Sequence, residues 1–195
     1  MPETIADLLP EEPLPVRLMN TVWADRHGRH DDLADIGGLR AWLRRTGLVA
    51  DPAPTAEDLA AFRRLRAAAR RVAAHVTADD RPPAGDPPDD LGAALADLNA
   101  DCAACSPRLI DTGDGLALRW HPGPRDTDRA RAELALAAAR LFSGEDAGLL
   151  RACYGPGCVL YFRGDHPRRE WCSAGCGNRA RVARHYSRHR PRRRD

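Results

Sequence analysis

Cys153-Tyr-Gly-Pro-Gly-Cys158 and Trp171-Cys-Ser-Ala-Gly-Cys-Gly-Asn-Arg179 decide how the C-terminal end of this chain folds. The first run is a C-x4-C pair and the second contains a C-x3-C pair, so each can bring two thiolates together on one turn. Zn2+ asks for four soft or borderline donors at the corners of a tetrahedron, and two short-spaced pairs supply two corners each. Glycine and proline between Cys153 and Cys158 allow the tight turn that points both sulfurs inward. Cys153, Cys158, Cys172 and Cys176 would close the coordination sphere, which indicates one structural zinc ion, since hydrolytic zinc keeps a position open for water. Their formal charge around the metal is negative, and Arg179 is placed to offset it. So small a unit has too few apolar residues to fold alone, so metal binding supplies its folding energy.

Two other pairings compete. The bland one is four unrelated buried cysteines, or two disulfides. The other joins Cys172 and Cys176 to His185 and His189, but too few residues intervene for a C2H2 finger, and Cys153 and Cys158 would be stranded. Cys102 and Cys105 form a C-x2-C in an alanine-rich segment, where small buried residues at a helix end are expected, with a redox pair as the alternative.

A helix beginning near Gly177 or Asn178 places Arg181, Arg184 and Arg188 on one face and Val182 and Tyr186 on another. The second face is expected to pack on the zinc knuckle, leaving the first for phosphate. All 30 basic residues counted as Lys+Arg are arginine, and they are unevenly spread: residues 151–195 are strongly basic and residues 1–150 are acidic, beneath a whole-chain charge of +2. That asymmetry is expected where one end meets a polyanion. Arginine forks onto phosphates and guanine edges. Asn178, Arg179, Arg181, Arg184, Arg188 and Arg190 are therefore the candidate nucleic-acid contacts, with duplex DNA as the first partner and RNA or protein as alternatives. Residues 191–195 read as a basic disordered tail.

Upstream, the apolar pattern is mostly helical. Leu39, Trp42 and Leu43 fall at helical spacing before Gly47, a left-handed cap position. Thr55 and Asp58 make a capping-box start, and Leu59, Phe62, Leu65, Ala69, Val72 and Val76 form one stripe behind it. Val16 to Trp23 fits a strand or a helix turn equally well. Proline-rich 79–90 is a loop, Leu91, Leu95 and Leu98 mark a shorter helix, and Leu134, Ala138 and Leu141 mark a longer one. Arg108–Asp111 and Leu116–Trp120 flank a Gly-rich turn and read as a β-hairpin. Trp23, Trp42 and Trp120 are expected to anchor the core. The fold class is thus mainly α with one short β-hairpin: a helical domain over residues 1–150 and a zinc module over 151–190.

The start of the chain lacks the pattern of a secretory signal, and no apolar run is long enough to span a bilayer, so a cytoplasmic protein with no membrane partner is expected. No hydrolase elbow, phosphate-binding loop, dinucleotide fingerprint or H-E-x-x-H appears, and an enzyme is not expected.

Trp171-Cys-Ser, Cys176-Gly-Asn-Arg179, the upstream C-x4-C and the Tyr161-Phe162 pair together resemble the CGNR zinc-finger family. Asn20-Thr21, the Leu39–Leu48 segment, the hairpin and the helix leading to Cys153 resemble, in order, the ABATE domain joined to it in stress-induced transcription regulators. The resemblance implies a zinc-binding, DNA-binding C-terminal module behind a mostly helical, sensory N-terminal domain. With the charge asymmetry, the expectation is a zinc-dependent transcription regulator whose N-terminal domain senses a small molecule or forms a homodimer. Residues Arg163–Glu170 depart from the Asp and Ser that many members carry there. A zinc-stabilised RNA- or protein-interaction module and a thiol redox switch are the alternatives.

Overall fold

The computed structural model describes residues 9–121, 124–166 and 168–189. A short helix α1 (Leu14–Met19), opened by Pro13 and Pro15, leads into β1 (Val22–Asp25), which pairs antiparallel with β2 (Gly28–Asp31). The Val16–Trp23 segment is therefore both of its readings in turn, a helix and then a strand. Helix α2 (Ile36–Thr46) starts on the Asp35 carboxylate, which accepts from Gly38 N, and stops at Gly47, whose φ of 74° is the left-handed cap expected there.

Helix α3 (Ala56–Val76) is the spine. The Thr55 hydroxyl accepts from Asp58 N while the Asp58 carboxylate accepts from Thr55 N, satisfying two otherwise orphaned donors. Its stripe packs Leu59, Phe62, Leu65 and Val72 against Trp42 and Leu43 of α2, Ala94 and Leu98 of α4 (Leu91–Ala104), and Ala130, Leu134 and Ala138 of α5 (Asp126–Ser143). Alanines at the facing positions let α3, α4 and α5 approach closely, which suits a chain poor in aromatics. Asp58 is buried, and burial pushes its carboxyl up. Hydrogen bonds from Arg125 and Thr55 outweigh that and hold it below the ordinary carboxylate range.

Between α4 and α5 stands the expected hairpin, β3 (Ser106–Asp111) with β4 (Leu116–His121), paired from Ser106–His121 to Asp111–Leu116. A 3-10 turn (Glu145–Leu149) then leads to β5 (Leu150–Ala152), which pairs with β6 (Tyr161–Arg163), and α6 (Ala174–His189) ends the described chain. The architecture is mainly α, with two further two-stranded ribbons beside the expected hairpin. None of the helices among the described residues is long and apolar enough to cross a membrane. Trp42 is fully buried and Trp23 nearly so, but Trp120 lies half-exposed on the hairpin and not in the core. A ribbon that stands away from the helices cannot bury both its faces.

Phe62 is fully enclosed. Phe62→Ala is expected to lower the unfolding free energy of the zinc-loaded protein by about 3–5 kcal/mol, read by urea denaturation. Because the folded-state value of Asp58 is depressed, its contribution is present above its unfolded value of about 4 and is lost as pH falls through the folded value. Thermal melts across an acid series should show Asp58→Asn flattening that fall.

Candidate metal centre

The C-x4-C loop is shaped by two glycines with different tasks. Gly157 has φ +74°, a conformation that side chains disfavour, and a Cβ on Gly155 would sit 2.9 Å from the Cβ of Cys176. The loop thus turns back and lies directly against the second pair. Cys172 and Cys176 enter from the other side, around the N-terminus of α6, where Gly177 gives passage to the Trp171 ring; a Cβ there would meet its Cδ1 at 3.0 Å.

All four sulfurs lie within 4.8 Å of one another, and all four cysteines are buried and free of disulfides. Cys158 and Cys172 sulfurs are 3.8 Å apart and those of Cys172 and Cys176 3.3 Å. Zinc–sulfur bonds of about 2.3 Å at tetrahedral angles separate sulfurs by roughly 3.8 Å, so the donors already stand at the spacing the ion requires. Hydrogen bonding to Cys153 and then to the other cysteines, with burial, pushes the Cys172 thiol far above its ordinary value. Such a set cannot be fully ionised without a cation at its centre. The donors fit zinc, and the four cysteines form one structural zinc site. Cys172 N donates to Cys153 Sγ at 3.5 Å and Arg179 Nη2 to Cys176 Sγ at 3.0 Å, which is the charge compensation expected of Arg179.

The outer frame of the site comes from the helical domain. Arg81 Nη1 donates to the carbonyls of Cys153, Cys158 and Leu160 at 2.8, 3.1 and 3.3 Å. Asp79 holds that guanidinium in a two-pronged pair and also accepts from the Tyr161 hydroxyl at 2.7 Å. Arg70 of α3 donates to Met19 O and Val159 O, and the Asn20 side chain exchanges both hydrogen bonds with the backbone of Tyr161. Glu12 accepts from Arg163 N and from Arg169, whose guanidinium lies over Phe162, so the 163–172 loop is tied to the start of the chain. Leu9 and Trp23 complete the apolar packing around the cysteines. Arg81, Asp79, Arg70, Asn20 and Glu12 had no local signal for this role. Apart from the Asp79–Arg81 pair, their partners lie far off in the sequence, from Met19 for Arg70 to Arg169 for Glu12.

The other candidates fall apart from the site. His185 stands on the exposed part of α6 with its ring edge-on to Tyr186, while the His189 side chain lies outside the described residues. Burial pushes the thiols of Cys102 and Cys105 up, the reverse of redox activation. Asn178, Arg181 and Arg184 are exposed along α6; the side chain of Arg188, all of Arg190 and the 191–195 tail lie outside the described residues. Val182 and Tyr186, expected against the knuckle, are 45% and 71% exposed. The knuckle reaches only the first turns of α6, through Cys176, Gly177 and Ala180, and the helix runs on past it.

Zinc analysis by mass spectrometry should find one ion per chain, lost in Cys176→Ser. Asn20→Ala strips a buried N–H and C=O of Tyr161 of their partners. It should cost at least about 1–3 kcal/mol of unfolding free energy while the ion is still bound.

Comparison with known families agrees with this anatomy. The ABATE model, described as "Putative stress-induced transcription regulator", matches residues 12–145, and the CGNR zinc-finger model matches residues 150–189. No curated protein matches the chain. A helical body matched over more than half the sequence, closed by a four-cysteine zinc module, makes the chain a member of the ABATE family that carries a CGNR zinc finger.

Proposed function

We propose that this zinc-binding regulatory protein is a cytoplasmic transcription regulator, not a catalyst, and that α6 carries it onto duplex DNA. The observation that supports this is the free stretch of α6. Asn178, Arg181 and Arg184 are exposed where the helix leaves the knuckle, and among the described residues no carboxylate pairs with Arg181 or Arg184. Uncompensated guanidinium groups on a protruding helix suit phosphates flanking a groove wide enough to admit it. Zinc fixes the first turn of that helix, so metal and binding are coupled, and the helical domain supplies regulation. Val182 and Tyr186, exposed on the same helix, favour a second reading in which an RNA base stacks on the tyrosine or a protein docks there.

Fluorescence anisotropy with duplex DNA, single strands and RNA separates the two. Duplex binding should weaken steeply with salt, vanish in zinc-free Cys176→Ser, and show a salt slope shallower by about 2 in Arg181→Ala/Arg184→Ala. Zinc-loaded protein with no salt-dependent duplex binding would sink the DNA reading, and a preference for RNA would install the second.

A further inference from the structure

The β3–β4 hairpin, among the described residues, exposes a cluster of leucines that the core leaves uncovered. Pairing of Leu109 with Leu118, Pro107 with Trp120 and Asp111 with Leu116 puts these six residues on one face, because partners across an antiparallel ribbon point the same way and alternate along it. Leu109, Leu116 and Leu118 are 66%, 70% and 65% exposed. None of the three, nor Trp120, belongs to a buried cluster of the described residues. A two-stranded ribbon is at best marginally stable alone in water, and its leucines gain nothing from one another unless something covers them.

We infer that the leucine face of the β3–β4 hairpin is a homodimer interface, covered by the same face of a second copy about a twofold axis through the Leu109–Leu118 pair. The face is self-complementary, as such an axis requires. Its centre is apolar. Two residues toward the tip stands the Asp111 carboxylate, an acceptor, and two residues toward the base stands the Trp120 indole, a donor with no acceptor among the described residues. With the hairpins antiparallel, the axis lays Leu116 of one copy over Trp120 of the other and sets Asp111 one strand to its side, about 4.8 Å away in projection and within reach of the indole N–H, at both ends. The same pairing occurs inside this chain, where Trp23 Nε1 donates to Asp32 at 3.0 Å. On the opposite face Arg108 faces Arg119 directly. Ile110 and Ala117 share that face, but the two like charges at its centre resist stacking of a further hairpin, so the assembly closes at two.

The area sets the strength. Three leucines, a proline and part of a tryptophan offer on the order of 500 Å² a side, close to the ~1,000 Å² total at which specific interfaces begin, so the dimer is reversible with a dissociation constant of roughly micromolar. The inference does not rest on DNA binding, and its test omits DNA.

Sedimentation of the zinc-loaded full chain from nanomolar to several hundred micromolar should move from monomer to dimer. Leu118→Asp should remain monomeric throughout while keeping one zinc and the wild-type helical circular dichroism, since the hairpin lies outside the cores. Trp120→Phe should weaken association at least about a hundredfold, since it removes both symmetry-related hydrogen bonds to a charged group. In the unaltered protein, amide exchange of residues 106–121 should slow as concentration rises. A monomer over the whole range, a dimer that survives Leu118→Asp, or concentration-dependent protection elsewhere overturns the inference. So does protection of the hairpin that appears only with a different protein bound.

Discussion

Four thiolates in one coordination sphere repel one another so strongly that only a divalent cation lets them coexist, and the C-terminal module of the chain is organised around that fact. The sulfurs are gathered by two turns that approach within contact distance at Gly155 and by Trp171 lying over Gly177. Arg179 donates into the cluster from α6, and the carbonyls of the knuckle face outward, where they need donors. The start of α6, and with it the direction in which its arginines leave the protein, follows from where the metal holds Cys172 and Cys176.

Those outward carbonyls explain why the zinc module is not a bead on a linker. Arg81 and Arg70 are both largely buried cations that donate to knuckle carbonyls, Arg81 to three and Arg70 to one. Only Arg81 has a carboxylate partner; Arg70 keeps its charge between two backbone oxygens, and burial lowers its value to about 10. A buried guanidinium is tolerated only while its acceptors stay in place. The knuckle therefore completes the helical body as much as the body steadies the knuckle. The loop after α3 holds the carbonyls of Cys153 and Cys158 through Arg81, and α3 itself holds that of Val159 through Arg70.

Two elements escape this mutual burial, α6 beyond its first turns and the β3–β4 hairpin. They differ in chemistry. The helix exposes guanidinium groups with Val182 and Tyr186 among them, and the hairpin exposes leucines on one face. A charged protrusion is content in water, whereas an apolar one is not.

The sequence by itself determined the parts governed by local physics. Cysteine spacing named the four ligands, the Thr55–Asp58 box and Gly47 marked helix ends, and the apolar stripe from Leu59 to Val72 marked the spine, because each depends on residues a few positions apart. Even the hairpin was legible from its turn. What only the tertiary structure decided depends on long-range placement. Val16–Trp23 became a helix and then a strand because Asn20, between them, had to meet Tyr161. Arg81, Arg70 and Glu12 turned from anonymous charges into the frame of the metal site, Val182 and Tyr186 were left facing water, and Trp120 stayed half-buried on the hairpin outside the core. Periodicity says that a side chain is apolar and which face of its element it shares. Whether another element arrives to cover that face is settled only when the whole chain has packed.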